Sequence, residues 1–219
     1  THVELGIKND GKMTALKVET IANIGAYASL FATVTPTYLY APLVIGLYDI
    51  PVASCNVKAV FTNTAPVDAY RGAGRPEATY TIERLVEKAA KELGIDRTEI
   101  RKKNFPTEFP FKQTLVHTVD SGDYVAGLEK AKQLSDYAGF EARRKKSEAN
   151  GKLRGIGVSS YFEACGIAPS AAVMSLGCGV GLWESAEVRF NPTGQISVFT
   201  GAHSHGQSHQ TTFAQIAAD

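Results

Sequence analysis

The chain has 219 residues, 44% hydrophobic and 21% charged, with a formal net charge of +1 at pH 7. That balance fits a globular protein with one good core or two modest ones. It offers no global field for nucleic acid or a membrane surface, and no apolar run approaches the about 20 residues of a membrane-spanning helix.

Val3 to Lys8 and Met13 to Glu19 flank "NDGK", a strong hairpin signal. Ala22 to Ser54 is apolar without a clean period and reads as packed turns and short helical pieces. Cys55 to Asn63 alternates like a strand. After the loop "APVDAYRGAGRPE", the apolar residues Ala78, Ile82, Leu85, Val86, Ala89, Ala90 and Leu93 share one helical face, with Pro76 suited to its first turn and Gly94 to its stop. Asp96 is the expected N-cap of a short second helix that ends before Pro106, and Asp123 to Ala138 is a third helix. The charged, glycine-terminated run "EARRKKSEANGK" is a solvated helix end or a domain boundary, giving expected domains of 1–152 and 153–219. Beyond it "RGIGVSSYF" is strand-like, "GIAPSAAVMSLGCGVG" is a glycine-rich loop, and "ESAEVRFNPTGQISVFTG" is a hairpin with good turn chemistry. The opening "THVELGIK" is already strand-like, and the closing "TTFAQIAAD" is helical without a stop signal, so a piece of a longer polypeptide is expected.

Cys55, Cys165 and Cys178 are widely spaced and form no C-x-x-C pair, which argues against a disulfide framework, a zinc ribbon or an iron–sulfur cluster in this chain. A reducing cytoplasm fits that usage. Cys178 as a nucleophile, "GCGVG" as a phosphate cradle, and Glu163, Glu184 or Glu187 as a general base each lack a supporting motif. No catalytic role is assigned to any of them.

Two loops offer chemistry. In "YRGAGRPE", Gly72 and Gly74 permit close backbone approach, Arg71 and Arg75 supply cationic donors, and the loop feeds a helix N-terminus that favours anions. A tight structural turn is the plainer reading of the same pattern. In "GAHSHGQSHQTTFAQ", His203, His205 and His209 form H-x-H-x3-H, which raises a zinc or iron site, but no Asp or Glu lies in the loop and the spacing matches no standard motif. Gly206 and Gln207 equally suit a polar heterocycle carrying a phosphate, with Thr211 or Thr212 capping the helix.

The run "VDAYRGAGRPEATYTIERLVEKAAKELGIDRTEIRKKNF" resembles the molybdopterin-binding large subunit of the xanthine dehydrogenase / aldehyde oxidase / aerobic carbon monoxide dehydrogenase family. "VETIANIGAYAS", "YFEACGIAPS", "GLWESAEVRFNPTGQISVFTG" and "HGQSHQTTFAQIAAD" resemble it too, in the family's order and over almost the whole chain. The resemblance implies an α+β fold with mixed sheets and packed helices. It implies molybdenum held by a pterin, in the cytosine dinucleotide form, with no histidine ligand and no metal-binding residue in the chain.

Carried over residue by residue, Arg71, Gly72, His205, Gly206, Gln207 and Ser208 would line the cofactor, and Tyr70 and Ala73 would shape the substrate pocket. Ser208 stands where the family usually has Gly. Copper-containing carbon monoxide dehydrogenases carry Cys at the position of Gly72, and purine-oxidising members carry Phe at that of Ala73. The implied substrate is therefore an aldehyde or small heterocycle, oxidised with water-derived oxygen, rather than carbon monoxide or xanthine. The resemblance further implies an iron–sulfur subunit and an FAD subunit as partners, and a general-base glutamate supplied from outside this stretch. Without that base the piece is expected to be inactive alone. The alternative is a non-catalytic module that binds a pterin or nucleotide, or serves in assembly.

Overall fold

The "NDGK" turn closes as its residues predict. Asp10 Oδ1 accepts from the Lys12 amide at 3.0 Å, and the flanking residues pair antiparallel. The computed structural model, which describes residues 1–163, 170–175, 177 and 183–219, places this hairpin at the start of the first of two compact units, Thr1–Phe162 and Glu163–Asp219. Its strands are β1 (His2–Ile7) and β2 (Met13–Asn23). β3 (Val52–Val60) lies parallel to β2 on its other edge, with Ala15 opposite Val52 and Asn23 opposite Val60. This strand begins earlier than the alternation suggested and stops at Val60, because Thr62 turns away to donate through its amide to Gly25 O and through its hydroxyl to Asn23 Oδ1.

A parallel pair requires a long crossover. Residues 24–51 provide it as turns with a single 3-10 turn at Ala41–Leu43. The crossover shows no period because it is enclosed from several sides: Leu43, Val44, Ile45, Leu47, Tyr48 and Ile50 are all buried. They pack with Met13, Leu16 and Val18 of β2 in the core.

Two helices complete that core. α1 (Arg75–Leu93) buries Ala78, Ile82, Val86 and Ala90, as the helical spacing predicts. It also buries Glu83, which that spacing did not mark. Gly94, at φ 66°, ends it. α2 (Arg97–Asn104) starts at Asp96, whose carboxylate accepts from the Thr98 and Glu99 amides. The two helices share a buried ion pair, Arg101 to Glu83 at 2.9 Å.

The last residue of α2 is the main polar junction of the unit. Asn104 is fully buried, accepts from Met13 N, and donates to Gly11 O and Ile100 O, each at 2.8 Å. Its carbonyl accepts from Asp49 N at 2.8 Å. One side chain thus joins the hairpin turn to the helix, and its backbone joins the crossover.

Two expectations for the following stretch need correction. The helix expected over 123–138 is shorter, α3 (Tyr124–Leu134), and the charged run read as a helix end or boundary carries a separate helix of its own, α4 (Phe140–Ala149). The chain turns between them because Arg143 donates to Ser135 O and Asp136 O and pairs with the Asp136 carboxylate. Arg143 is therefore a clamp on the turn rather than one more solvated charge. A two-residue ladder between β4 (Phe111–Lys112) and β5 (Thr118–Val119) is too short to leave a periodic signal. The strand-like residues "RGIGVSSYF" run without pairing to any strand among the described residues.

The second unit is smaller and also α+β. Part of the expected glycine-rich loop is helical, α5 (Ser170–Ser175), a stretch with two alanines and a methionine that favour helix. Residues 164–169, 176 and 178–182, which include Cys165, Cys178 and most of "GCGVG", lie outside the described residues. β6 (Ala186–Phe190) and β7 (Ile196–Thr200) form the expected hairpin, closed by Asn191 N on Gln195 O at 2.9 Å. α6 (His209–Ala218) follows. Among the described residues no helix is long and apolar enough to cross a membrane.

Asn104→Ala strands the Met13 amide and the Gly11 carbonyl in the core. It is expected to destabilise the first unit by about 2–4 kcal/mol, read as a lower urea midpoint with an unchanged m-value.

Candidate functional site

Two turns carry the chemistry singled out in the sequence, one in each unit. In the first, Tyr70 O accepts from Ala73 N at 2.9 Å and Gly72 O from Arg75 N at 3.1 Å, so the chain coils into α1 through consecutive tight bends. Gly72, Ala73 and Gly74 all have positive φ, of 104°, 28° and 88°. At Gly74 a Cβ would lie 2.6 Å from Thr35 O and 2.7 Å from Leu39 C, so glycine is required by both conformation and space. At Gly72 a Cβ would meet the Pro76 ring at 2.7 Å.

The turn consumes some of the donors that the sequence offered to an anion. Arg75 N–H is bonded to Gly72 O, and Pro76 has none. Its cationic groups are side chains: Arg71 is exposed and Arg75 half-buried. Tyr70 stands 78% exposed beside them. The loop is held from behind by Asp68, whose Oδ1 accepts from Phe31 N at 3.1 Å and Ala69 N at 2.7 Å. Asp68 was not among the residues singled out above, although an aspartate just before a glycine-rich turn is a readable signal. Thr35 left no signal at all. Its carbonyl lies against Gly74, and its hydroxyl is buried without a hydrogen-bond partner among the described residues.

A groove of about 1760 Å³ runs along α1, lined by Thr35, Tyr40, Gly74, Tyr80, Arg84 and Lys91 among others. Gly74 and Pro76 bring the turn to the groove, while Tyr70, Arg71, Gly72 and Ala73 are not among its lining residues. His117 lies in the same unit. Burial, and after it the Arg75 charge, hold its imidazole below the usual pKa.

In the second unit the loop between β7 and α6 makes a similar corner. Gly206 has φ 89° and Ser208 φ 60°. Gln207 turns back on the loop, its Oε1 accepting from the His205 amide. Ser208 occupies the N-cap position, but its side chain makes no capping bond. Its carbonyl instead accepts from Thr211 N and Thr212 N at 3.0 and 2.9 Å. Thr211 and Thr212 are therefore inside the first turn, not its caps. The histidines do not converge as a triad: His203 and His205 stack on each other at 4.7 Å, and His209 stacks on Phe213 at 4.7 Å. Among the described residues no group of three His, Cys, Asp or Glu is placed to hold a metal ion.

Two models described as molybdopterin cofactor-binding domains match the chain, one over residues 1–105 and the other over 130–219. The chain belongs to the molybdopterin-binding large-subunit family of xanthine dehydrogenase and aldehyde oxidase.

Relatives in this family include the carbon monoxide dehydrogenase large chain of Hydrogenophaga pseudoflava, 40% identical over 98% of this chain and 27% of that one. Subunit gamma of the 6-hydroxypseudooxynicotine dehydrogenase complex of Paenarthrobacter nicotinovorans is 32% identical over 99% of this chain and 26% of its own. Among solved structures, quinoline 2-oxidoreductase from Pseudomonas putida 86 superposes with a TM-score of 0.85 at 34% identity, over 99% of this chain and 28% of that one. The chain thus spans about a quarter of the length of the relatives it matches.

The residues present fit a family cofactor of this kind. A molybdopterin offers anionic phosphate and a heterocycle rich in donors and acceptors. The first turn carries two guanidinium groups on a glycine-opened backbone, and the second a half-buried amide side chain on a left-handed corner.

The two corners differ in what they cost the backbone. Gly74→Ala adds a Cβ against the Thr35 and Leu39 backbone and should lower the melting temperature by several degrees. Ser208→Gly relieves a left-handed side-chain-bearing residue and should stabilise the second unit by about 1 kcal/mol. Thermal and urea unfolding of both variants check the opposite signs.

Proposed function

We propose that this chain is a central part of the large subunit of a molybdenum hydroxylase, which oxidises an aldehyde or a small heterocycle with oxygen taken from water. The observation that carries the reading is the pair of left-handed corners, Gly72–Gly74 and Gly206–Ser208, each leading into a helix within a segment matched by a molybdopterin-binding model. Such corners expose backbone and bring a ligand close where an ordinary side chain would block it. Division into a first binding domain over 1–152 and the start of a second over 153–219 belongs to the same proposal.

Arg71, with the Gly72 backbone, would hold the anionic and oxo-bearing side of the cofactor through charge-assisted hydrogen bonds. His205, Gly206, Gln207 and Ser208 would hold the pterin, with Gln207 giving up its bond to the His205 amide for the ligand. Tyr70 and Ala73 would shape the substrate entrance. The small Ala73 leaves room and supplies no stacking ring, which favours an aldehyde or a modest heterocycle over a purine. The bound cofactor would supply the redox chemistry. This chain's residues would position it, and the proton-accepting base would come from elsewhere in the subunit.

Gly72 bears directly on carbon monoxide as a substrate. A thiolate ligand at this position needs a Cβ, and here a Cβ would strike Pro76 at a φ of 104°. A copper-bearing site is accordingly not part of the proposal, despite the similarity to a carbon monoxide dehydrogenase large chain. The cytosine dinucleotide form of the pterin, an iron–sulfur subunit and an FAD subunit as partners, and a cytoplasmic location complete the reading. The relative that is named as a subunit of a dehydrogenase complex supports the expectation of partners.

Elemental and nucleotide analysis of the full-length protein, made in a host that synthesises the cofactor, tests this. Molybdenum stoichiometric with the polypeptide and a cytidine nucleotide released by acid are expected, with Gln207→Ala lowering retention about tenfold. Protein lacking molybdenum and pterin, or carrying zinc that is lost when His203, His205 and His209 are changed to Ala, would overturn the assignment.

A further inference from the structure

Glu83 and Arg101 are charged, buried, and unused by the proposed chemistry. Arg101 has no exposed side-chain surface, and its guanidinium bonds Glu83 Oε2 through Nε at 3.0 Å and Arg97 O through Nη1 at 2.7 Å. The Tyr48 hydroxyl donates to the other Glu83 oxygen. Arg101 also pairs with Glu87 at 3.5 Å, and both groups reach residues 156–160, which carry no regular secondary structure. Arg101 Nη2 donates to Val158 O at 3.0 Å, Ser160 N donates to Glu83 Oε2 at 2.9 Å, and beside them Arg97 Nη1 donates to Ile156 O at 2.7 Å.

The spacing is the informative part. In an extended chain every second residue presents its backbone groups to the same edge. Residues 156, 158 and 160 stand at that two-residue spacing, and each is met by a side chain from α1 or α2. Side chains thus do for this strap what a neighbouring strand does elsewhere, which explains why a strand-like sequence pairs with no strand among the described residues. Apolar packing contributes little: Ile156 and Val158 are half-buried, and Leu153 and Tyr161 are exposed.

The two ends of these bonds belong to different family segments. Glu83 and Arg101 fall within the match to the first molybdopterin-binding model, and residues 156–160 within the match to the second. Yet the strap is part of the first compact unit, which ends at Phe162. Glu83 lies on the helix whose N-terminus carries the Gly72–Gly74 corner, and the strap leads directly to the unit that carries the Gly206–Ser208 corner. A buried ion pair generally gains little over well-packed apolar residues, but Met or Leu at these positions could not hold backbone groups at register.

We propose that Glu83 and Arg101 are positioning residues: their pair holds the Ile156–Ser160 strap on α1 and α2, fixing where the chain enters its second cofactor-binding region. The inference rests on the proposed function only in taking the second region to bind the cofactor. Two variants of the full-length enzyme test it. Ser160→Pro removes one amide donor and leaves the ion pair intact. The charge-neutral double variant E83Q/R101M removes both charges, so neither is left alone in the core.

Exchange of the Ser160 amide should accelerate at least about tenfold in E83Q/R101M while α1 and α2 stay protected. Trypsin should cut faster after Arg154, and the molybdenum and pterin content should fall. Unchanged Ser160 exchange in E83Q/R101M, unchanged trypsin cutting in both variants, loosening spread evenly through α1 and α2, or a loosened strap with full cofactor content would each overturn the positioning role. A parent protein without molybdopterin overturns the role together with the proposed function, and that result is distinguished by appearing before any substitution is made.

Discussion

A guanidinium without solvent contact needs its charge and its donors answered by the protein. Arg101 meets that constraint through Glu83, and much of the first unit is arranged around the result. Glu83 must face inward from α1, Arg101 inward from α2, and Tyr48 must come from the crossover to bond the second carboxylate oxygen. The helices, the crossover and the strap at 156–160 therefore meet at one buried polar point. Asn104 plays the neutral counterpart one turn further along α2, bonding the hairpin turn at Gly11 and Met13.

With the helices held in this way, the start of α1 is held too, and the Gly72–Gly74 corner is built on that fixed end. Its back is tied down by Asp68, and its inner face lies against the Thr35 and Leu39 backbone. Among the described residues, only Ala73, Asp136 and Ser208 take positive φ without being glycine. Asp136 is restrained by Arg143, while Ala73 and Ser208 both sit in the loops that the family resemblance singles out. Backbone strain retained at such places is typical of sites where a ligand must approach the main chain.

Much of this was legible locally. The turn at "NDGK", the apolar face of α1, the Asp96 cap, the Gly94 stop and the β6–β7 hairpin all depend on residues within one turn or one strand of each other. The failures share a different cause. Glu83 reads as a surface carboxylate because its partner lies 18 residues later on another helix. Thr35 and the crossover carry no periodic signal because they are enclosed by several elements at once. "RGIGVSSYF" forms no strand, and the hydrogen-bond partners of its backbone at 156, 158 and 160 are side chains far away in sequence.

From the amino-acid order alone came the family, the α+β class and the two glycine-opened loops, because motif spacing and local backbone preference are properties of short stretches. The tertiary structure alone decided which charges are buried, which donors of the first loop are already spent, that the three histidines stack with other rings instead of converging, and that a strap from one family segment is held by the helices of the other. Those outcomes depend on distances between residues remote in the chain, and only packing sets such distances.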